Sequence, residues 1–163
     1  TTSATVLSNT GNYPITLSGG SSINYNFSLQ NGTLTINTSP LIARAADLSK
    51  VYGQPNPALT IVYAGFLNGD NVSSITPPFA TTSASTTSSV GSYPITLTGG
   101  SAQNYSIILQ TGTLTIQKAQ LTVTANNQSR TYGASNPPFT ISYTGFVNGE
   151  NSSVINTSPV AST

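Results

Sequence analysis

The chain has 163 residues, a net charge of +1 and only seven charged side chains: Arg44, Asp47, Lys50, Asp70, Lys118, Arg130 and Glu150. No basic patch exists to neutralise phosphates, which excludes nucleic acid as a partner, and without Cys or His no disulfide and no thiol- or imidazole-based site can form. Ser and Thr supply 50 residues, yet apolar residues alternate with them in strand-like runs, so the chain reads as folded β rather than disordered. There is no run of 18 apolar residues and no basic amphipathic helix, so nothing in it reads as inserting into a membrane.

The sequence repeats itself. Residues 1–80 align with 81–160 without a gap, and 40 of the 80 positions are identical. A period of 80 is long enough to hold a small core. It is too long for a solenoid rung and fits modules strung in a linear array.

Residues 1–10 and 81–90 are polar and weakly patterned. The blocks 11–20 (GNYPITLSGG) and 91–100 (GSYPITLTGG) alternate apolar and polar residues and stop at Gly-Gly, the pattern of a half-buried strand. Pro94 within it requires a sheet edge or a non-bonded site. In 24–36 and 104–116, two alternating runs flank Asn31-Gly32 and Thr111-Gly112, which predicts a β-hairpin. The next strands, LIARA (41–45) and LTVTA (121–125), begin only a few residues later, with no Gly/Ser linker. Such short joints favour a stiff rod.

Then come YGQPNP (52–57) and YGASNP (132–137). Gly53 and Gly133 are placed to supply positive φ, and Pro57 and Pro137 hold Asn56 and Asn136 extended. With Tyr52 and Tyr132 these residues read as a structural turn. A strand follows, with Leu59, Ile61 and Tyr63 in phase (Phe139, Ile141 and Tyr143 in the second copy). NGDN (68–71) and NGEN (148–151) then read as a turn whose acid opens a short helix. Residues 76–89, broken by Pro, read as an edge strand or loop. The expectation is a mostly β fold with about six strands and one short helix per module.

Three scattered carboxylates offer no acid/base pair, so neither an enzyme nor a cofactor site is expected. Asp70 with Asn68 and Asn71, and Glu150 with Asn148 and Asn151, present oxygens to a cation such as Ca²⁺. One carboxylate per site is meagre, and an acid beside a helix N-terminus is the preferred reading. The eight Tyr are candidate sugar-stacking platforms, but most run in phase with apolar neighbours and are read as core residues with rim hydroxyls, with Tyr52 and Tyr132 set apart on the turn. Eight Asn-x-Ser/Thr sequons, the first at Asn26 and the last at Asn156, are unremarkable in so Ser/Thr-rich a chain. Lys50 aligns with Arg130 and Lys118 with Thr38, so no Lys-based crosslink recurs in every unit. The Thr-rich strand faces are read as solvated surface with scope for lateral fibre contacts.

The ordered string LTVTA, YGxxNP, GFxNG(D/E), GxYPITLxGG, NY and GTLTI resembles the MBG domain of the YGX type, over essentially the whole chain. The resemblance implies tandem modules of large bacterial surface and secreted proteins, an extracellular or cell-surface location, and a small β-rich fold, either β-grasp-like or a small β-sandwich. It carries over no catalytic or ligand residues. Its boundaries place the C-terminal half of a module at 1–37, a complete module at 38–117 and the N-terminal half of the next at 118–163. The expected role is a structural segment of a long extracellular fibre or adhesin stalk, partnered by adjacent repeats. Two alternatives are a glycan- or surface-binding adhesin module, and a short subunit that polymerises head-to-tail by complementing half-domains of identical chains.

Overall fold

The computed structural model describes residues 1–163. It is mostly β: β1 (Gly11–Ile15), β2 (Gly32–Ile36), β3 (Ser39–Ala45), β4 (Leu48–Val51), β5 (Ile61–Ala64), β6 (Phe79–Thr82), β7 (Gly91–Thr98), β8 (Tyr105–Gln110), β9 (Gly112–Gln117), β10 (Thr122–Ala125) and β11 (Ile141–Thr144). Two three-residue 3-10 turns, Val72–Ser74 and Ser152–Val154, are the only helical segments. The strands form several small sheets, ordered β1-β2, β10-β11, β5-β3-β8 and β4-β9-β7-β6. Between residues 38 and 117 there are seven strands and one 3-10 turn, one strand more than the sequence pattern suggested.

The chain divides into two compact units. The first comprises residues 1–46, 59–81 and 95–112. Its centre is β3, whose period-two alternation puts Leu41, Ala43 and Ala45 on a face with no exposed surface. β3 pairs antiparallel with β5 and parallel with β8, Ser39 opposite Tyr105. Ile95, Leu97 and Tyr105 complete the buried apolar set of this unit. Phe66 lies between Tyr63 and Tyr105, both ring centroids 5.7 Å away, the second pair edge-on at 83°.

The second unit comprises 47–58, 82–94 and 113–163. Here β4 runs parallel to β9, Leu48 opposite Leu114, over buried Leu114, Ile116 and Ala84. Lys50 is buried as well, its ammonium donating to the carbonyls of Gln54 (3.0 Å) and Ser85 (2.6 Å). Charge-assisted bonds of this kind offset the desolvation of a buried cation. The two parallel ladders share one register, since 105 − 39 and 114 − 48 both equal 66.

Two sequence expectations fail, the hairpins and the acid-opened helices, and a third is narrowed. The predicted hairpins do not form: β8 and β9 lie in different sheets, and β2 pairs with β1 while residues 24–30 form no strand. Gly112 is needed for close approach, not for positive φ. A Cβ there would run into the carbonyl oxygens of Ala45 and Ala46, the latter at 2.7 Å, so the chain turns a corner where it was expected to reverse. Pro94 lies inside β7, an internal strand of its sheet, so of the two placements expected for it the sheet edge does not hold. The 3-10 turns are capped by Asn71 and Asn151, whose side-chain oxygens accept from the amides of Ser73 and Ser153, both at 2.9 Å. The preceding acids are not part of the turns.

Candidate functional site

Two turns carry the polar chemistry of each repeat. In YGQPNP the amide of Gln54 donates to the carbonyl of Val51 (3.1 Å), and Gly53 sits at φ +83°. The amide of Tyr52 donates to the carbonyl of Gln117 (2.8 Å), extending the β4–β9 ladder into the turn. Asn56 donates to the carbonyl of Ala84 (2.6 Å), and with Lys50 ties the turn to residues 84 and 85. Pro57 is half-buried behind it. The second copy keeps the local geometry: Gly133 has φ +84°, and Arg130 donates to Asn136 Oδ1 (2.8 Å) and the Ala134 carbonyl (3.0 Å). Pro137 is half-buried there too.

The second turn is Asn-Gly-acid. Asn68 (φ +54°) and Gly69 (φ +83°) are both left-handed, and the amide of Asp70 closes on the carbonyl of Leu67 at 2.9 Å. Positive φ at both central residues is the mark of a type I′ turn, which Asn-Gly adopts cheaply. Asn148, Gly149 and Glu150 repeat it, closing on Val147 at 3.0 Å.

Each turn presents its acid to a tyrosine. The Tyr105 hydroxyl donates to Asp70 Oδ2 (2.7 Å) and accepts from the Leu67 amide (3.0 Å). That backbone contact at Leu67 pulls the phenol pKa down. The bond to the Asp70 carboxylate, burial and the Asp70 charge outweigh it, and the Tyr105 pKa stands above the ordinary tyrosine value. Burial raises the Tyr63 phenol in the same direction. Glu150 accepts from a different tyrosine, Tyr52, at 2.6 Å. Beside that bond Gly53 lies so close to Val147 that a Cβ would come within 2.6 Å of its Cγ2. The YG turn of one copy therefore clasps the Asn-Gly-Glu turn of the next.

No pattern along the chain points to these Tyr–acid pairs, which span 35 and 98 residues. The available signal was that an acid stands at 70 and 150 in a chain with only three acids. As cation sites the two turns are poorly arranged. Asp70 Oδ2 is taken by Tyr105, Asn71 Oδ1 accepts from Ser73, and Asn68 donates to the carbonyl of Val6. No group of three acidic, His or Cys side chains gathers anywhere in the chain. The core reading of the in-phase tyrosines is corrected at Tyr25, which is 77 % exposed while its repeat counterpart Tyr105 is 6 % exposed, and Tyr132 on the turn is fully exposed. Tyr105 is buried on β8, whereas residues 24–30 pair with nothing.

The family model of the MBG domain (YGX type) matches residues 1–35, 41–115 and 121–163. The chain belongs to this family. The MBG domain is a non-enzymatic repeat domain of surface proteins. No curated protein and no solved structure matches the chain at a significant level. No helix is long and apolar enough to cross a membrane.

Proposed function

We propose that this MBG chain is a non-catalytic structural segment of an extracellular bacterial fibre or adhesin stalk, built from tandem 80-residue modules with boundaries near residues 37 and 117. The observation that carries this reading is the clasp of Tyr52 and Gly53 on Val147 and Glu150. In the modular division, these residues belong to consecutive modules. A hydrogen bond at 2.6 Å and an approach that only glycine allows fix one module on the next, where a Gly/Ser linker would leave it free to swivel. A stalk transmits load and holds spacing through joints of this kind, and the low charge leaves no field to steer a soluble ligand.

The test is electron microscopy of recombinant arrays of increasing repeat number. Straight rods that lengthen by a constant increment per repeat are the expected result. Beads with random bends at each joint would overturn the stiff-stalk reading, and specific retention of a sugar on a glycan array would move the role toward an adhesive module.

A further inference from the structure

The three-stranded sheet β5-β3-β8 ends on one side in an unguarded strand. β8, YSIILQ, is six residues long and pairs only with β3, which leaves its other edge open. It holds no charged residue, no Pro and no Gly. The other edge strands of the two larger sheets, β4, β5 and β6, have four residues each. β4 carries Lys50, and β6 follows Pro77 and Pro78. Shortness, charge and proline are the means by which proteins keep sheet edges from pairing with other chains. β8 has none of the three.

The outward face of the same sheet is apolar. β3 buries Leu41, Ala43 and Ala45, so Ile42 lies on the opposite face. The ladders set Ile42 opposite Ala64 of β5 and Ile108 of β8. These three residues form one exposed row across the sheet, with Ile108 46 % accessible. The row is particular to this module. In place of Ile42, Val62 and Ala64 the next copy has Thr122, Ser142 and Thr144, and in place of Ile108 the preceding copy has Ser28. Four positions that carry hydroxyls in the other copies are aliphatic here.

The sequence of β8 is complementary to itself. In an antiparallel pair of identical strands, the inner and outer faces are kept only if the dyad falls on a residue. With the dyad on Ile108, Ile108 meets its own copy, Ile107 meets Leu109 and Ser106 meets Gln110: apolar on apolar and polar on polar. With the dyad on Ile107, Ser106 faces Ile108; with the dyad on Leu109, Ile108 faces Gln110. Only the first register pairs like with like, and it carries the row Ala64, Ile42, Ile108 unbroken into the second copy. The nearest charge in the ladder, Arg44, stands opposite Gln110 and leaves that row clear. A net charge of +1 sets up little repulsion between copies.

We propose that β8 is a lateral docking edge for β8 of a second copy of this chain, the two strands pairing antiparallel about Ile108 to make one six-stranded sheet. This rests on the stalk reading and names how neighbouring stalks adhere. The contact is isologous, so it closes on two copies. Backbone hydrogen bonds supply the affinity, and the Ile108 pair fixes the register.

The chain has no Cys, so engineered thiols report the register without interference. Residues directly opposite in an antiparallel pair have Cα atoms about 4.5–5.5 Å apart, within disulfide reach. Ile108→Cys is therefore expected to oxidise to a covalent dimer. Ser106→Cys and Gln110→Cys each stand about 13 Å from their own copy; each is expected to give little dimer alone and a disulfide-linked pair when the two are mixed. In analytical ultracentrifugation the wild-type chain is expected to dimerise as concentration rises. Ile108→Lys, which places a charge on the edge, is expected to stay monomeric with native circular dichroism. Val62→Lys, on the same face at the opposite edge strand, is expected to dimerise like the wild type. A wild-type chain that is monomeric up to about 1 mM overturns the proposal. Equal oxidation of the three single thiols does so too, and so does loss of the dimer in Val62→Lys, which would mean that sheets stack face to face. If Ile108→Lys fails to fold, the thiol pattern still decides. Single straight rods in electron microscopy would survive any of these failures, and rods that bend at random would leave a β8 dimer intact, so the two readings fail separately.

Discussion

The residues that organise this chain do so through backbone geometry. Gly53 and Gly133 share a φ near +83°, yet only Gly53 has a neighbour, Val147, in the space a side chain would take. An Ala at either site adopts left-handed backbone at a cost of roughly 1–2 kcal/mol. Gly53→Ala must in addition displace Val147. Gly53→Ala is therefore expected to destabilise the chain more than Gly133→Ala, as measured by urea denaturation; equal losses would show that the clasp contributes nothing. Tyr63 and Tyr105 both have pKa values above the ordinary phenol range. The unfolded chain then releases these protons first. Their contribution is complete below a pH of about 10 and is lost as the pH rises through the folded-state values. A melting temperature insensitive to these phenols at neutral pH and falling above a pH of about 10 is the expected outcome of melts run across that range.

Elements with identical sequence differ here because pairing, not propensity, decides their state. GTLTI occurs at 32–36 and 112–116, but Leu114 is fully buried and Leu34 is not. Leu114→Ala is expected to cost about 2–5 kcal/mol, the range for a fully buried leucine, while Leu34→Ala costs far less; thermal melts of the two variants compare one substitution in two settings. Hydrogen exchange extends the test to the backbone: amides in 42–44, where β3 has a partner strand on both sides, should exchange far more slowly than those in 122–125, whose sheet has two strands. The same comparison shows what could be read beforehand. Alternation located β1, β3, β7, β9 and β10 to within a few residues, because it records which face is buried. It could not show which strands meet. Asn31-Gly32 and Thr111-Gly112 have the composition of a hairpin turn, and only the approach of the Ala45 and Ala46 carbonyls reveals that Gly112 serves a corner. Parallel partners 66 residues apart leave no local trace, and neither do Tyr–acid pairs, since one phenol and one carboxylate specify no distance along the chain.

At the scale of the whole molecule, few charges are available to hold the fold. Seven ionised side chains in 163 residues, with a net charge of +1, leave burial of Leu41, Ile95, Leu114 and Ile116, and the ladders around them, as the main supports. The buried ammonium of Lys50 bonds to carbonyl groups, shielded from solvent ions by its own burial. Raising NaCl from about 0.01 to about 1 M shortens the Debye length from roughly 30 to roughly 3 Å, which screens surface pairs while leaving ladders and apolar contacts in place. The melting temperature is accordingly expected to change little across that range in differential scanning calorimetry. A steep fall on adding salt would mean that exposed ion pairs carry the stability, and would contradict a fold whose outward strand faces are hydroxyls. For the proposed surface fibre the consequence would be functional. A stalk braced by backbone pairing and glycine-tight joints keeps its stiffness when the surrounding ionic strength changes, whereas one braced by charge pairs would soften.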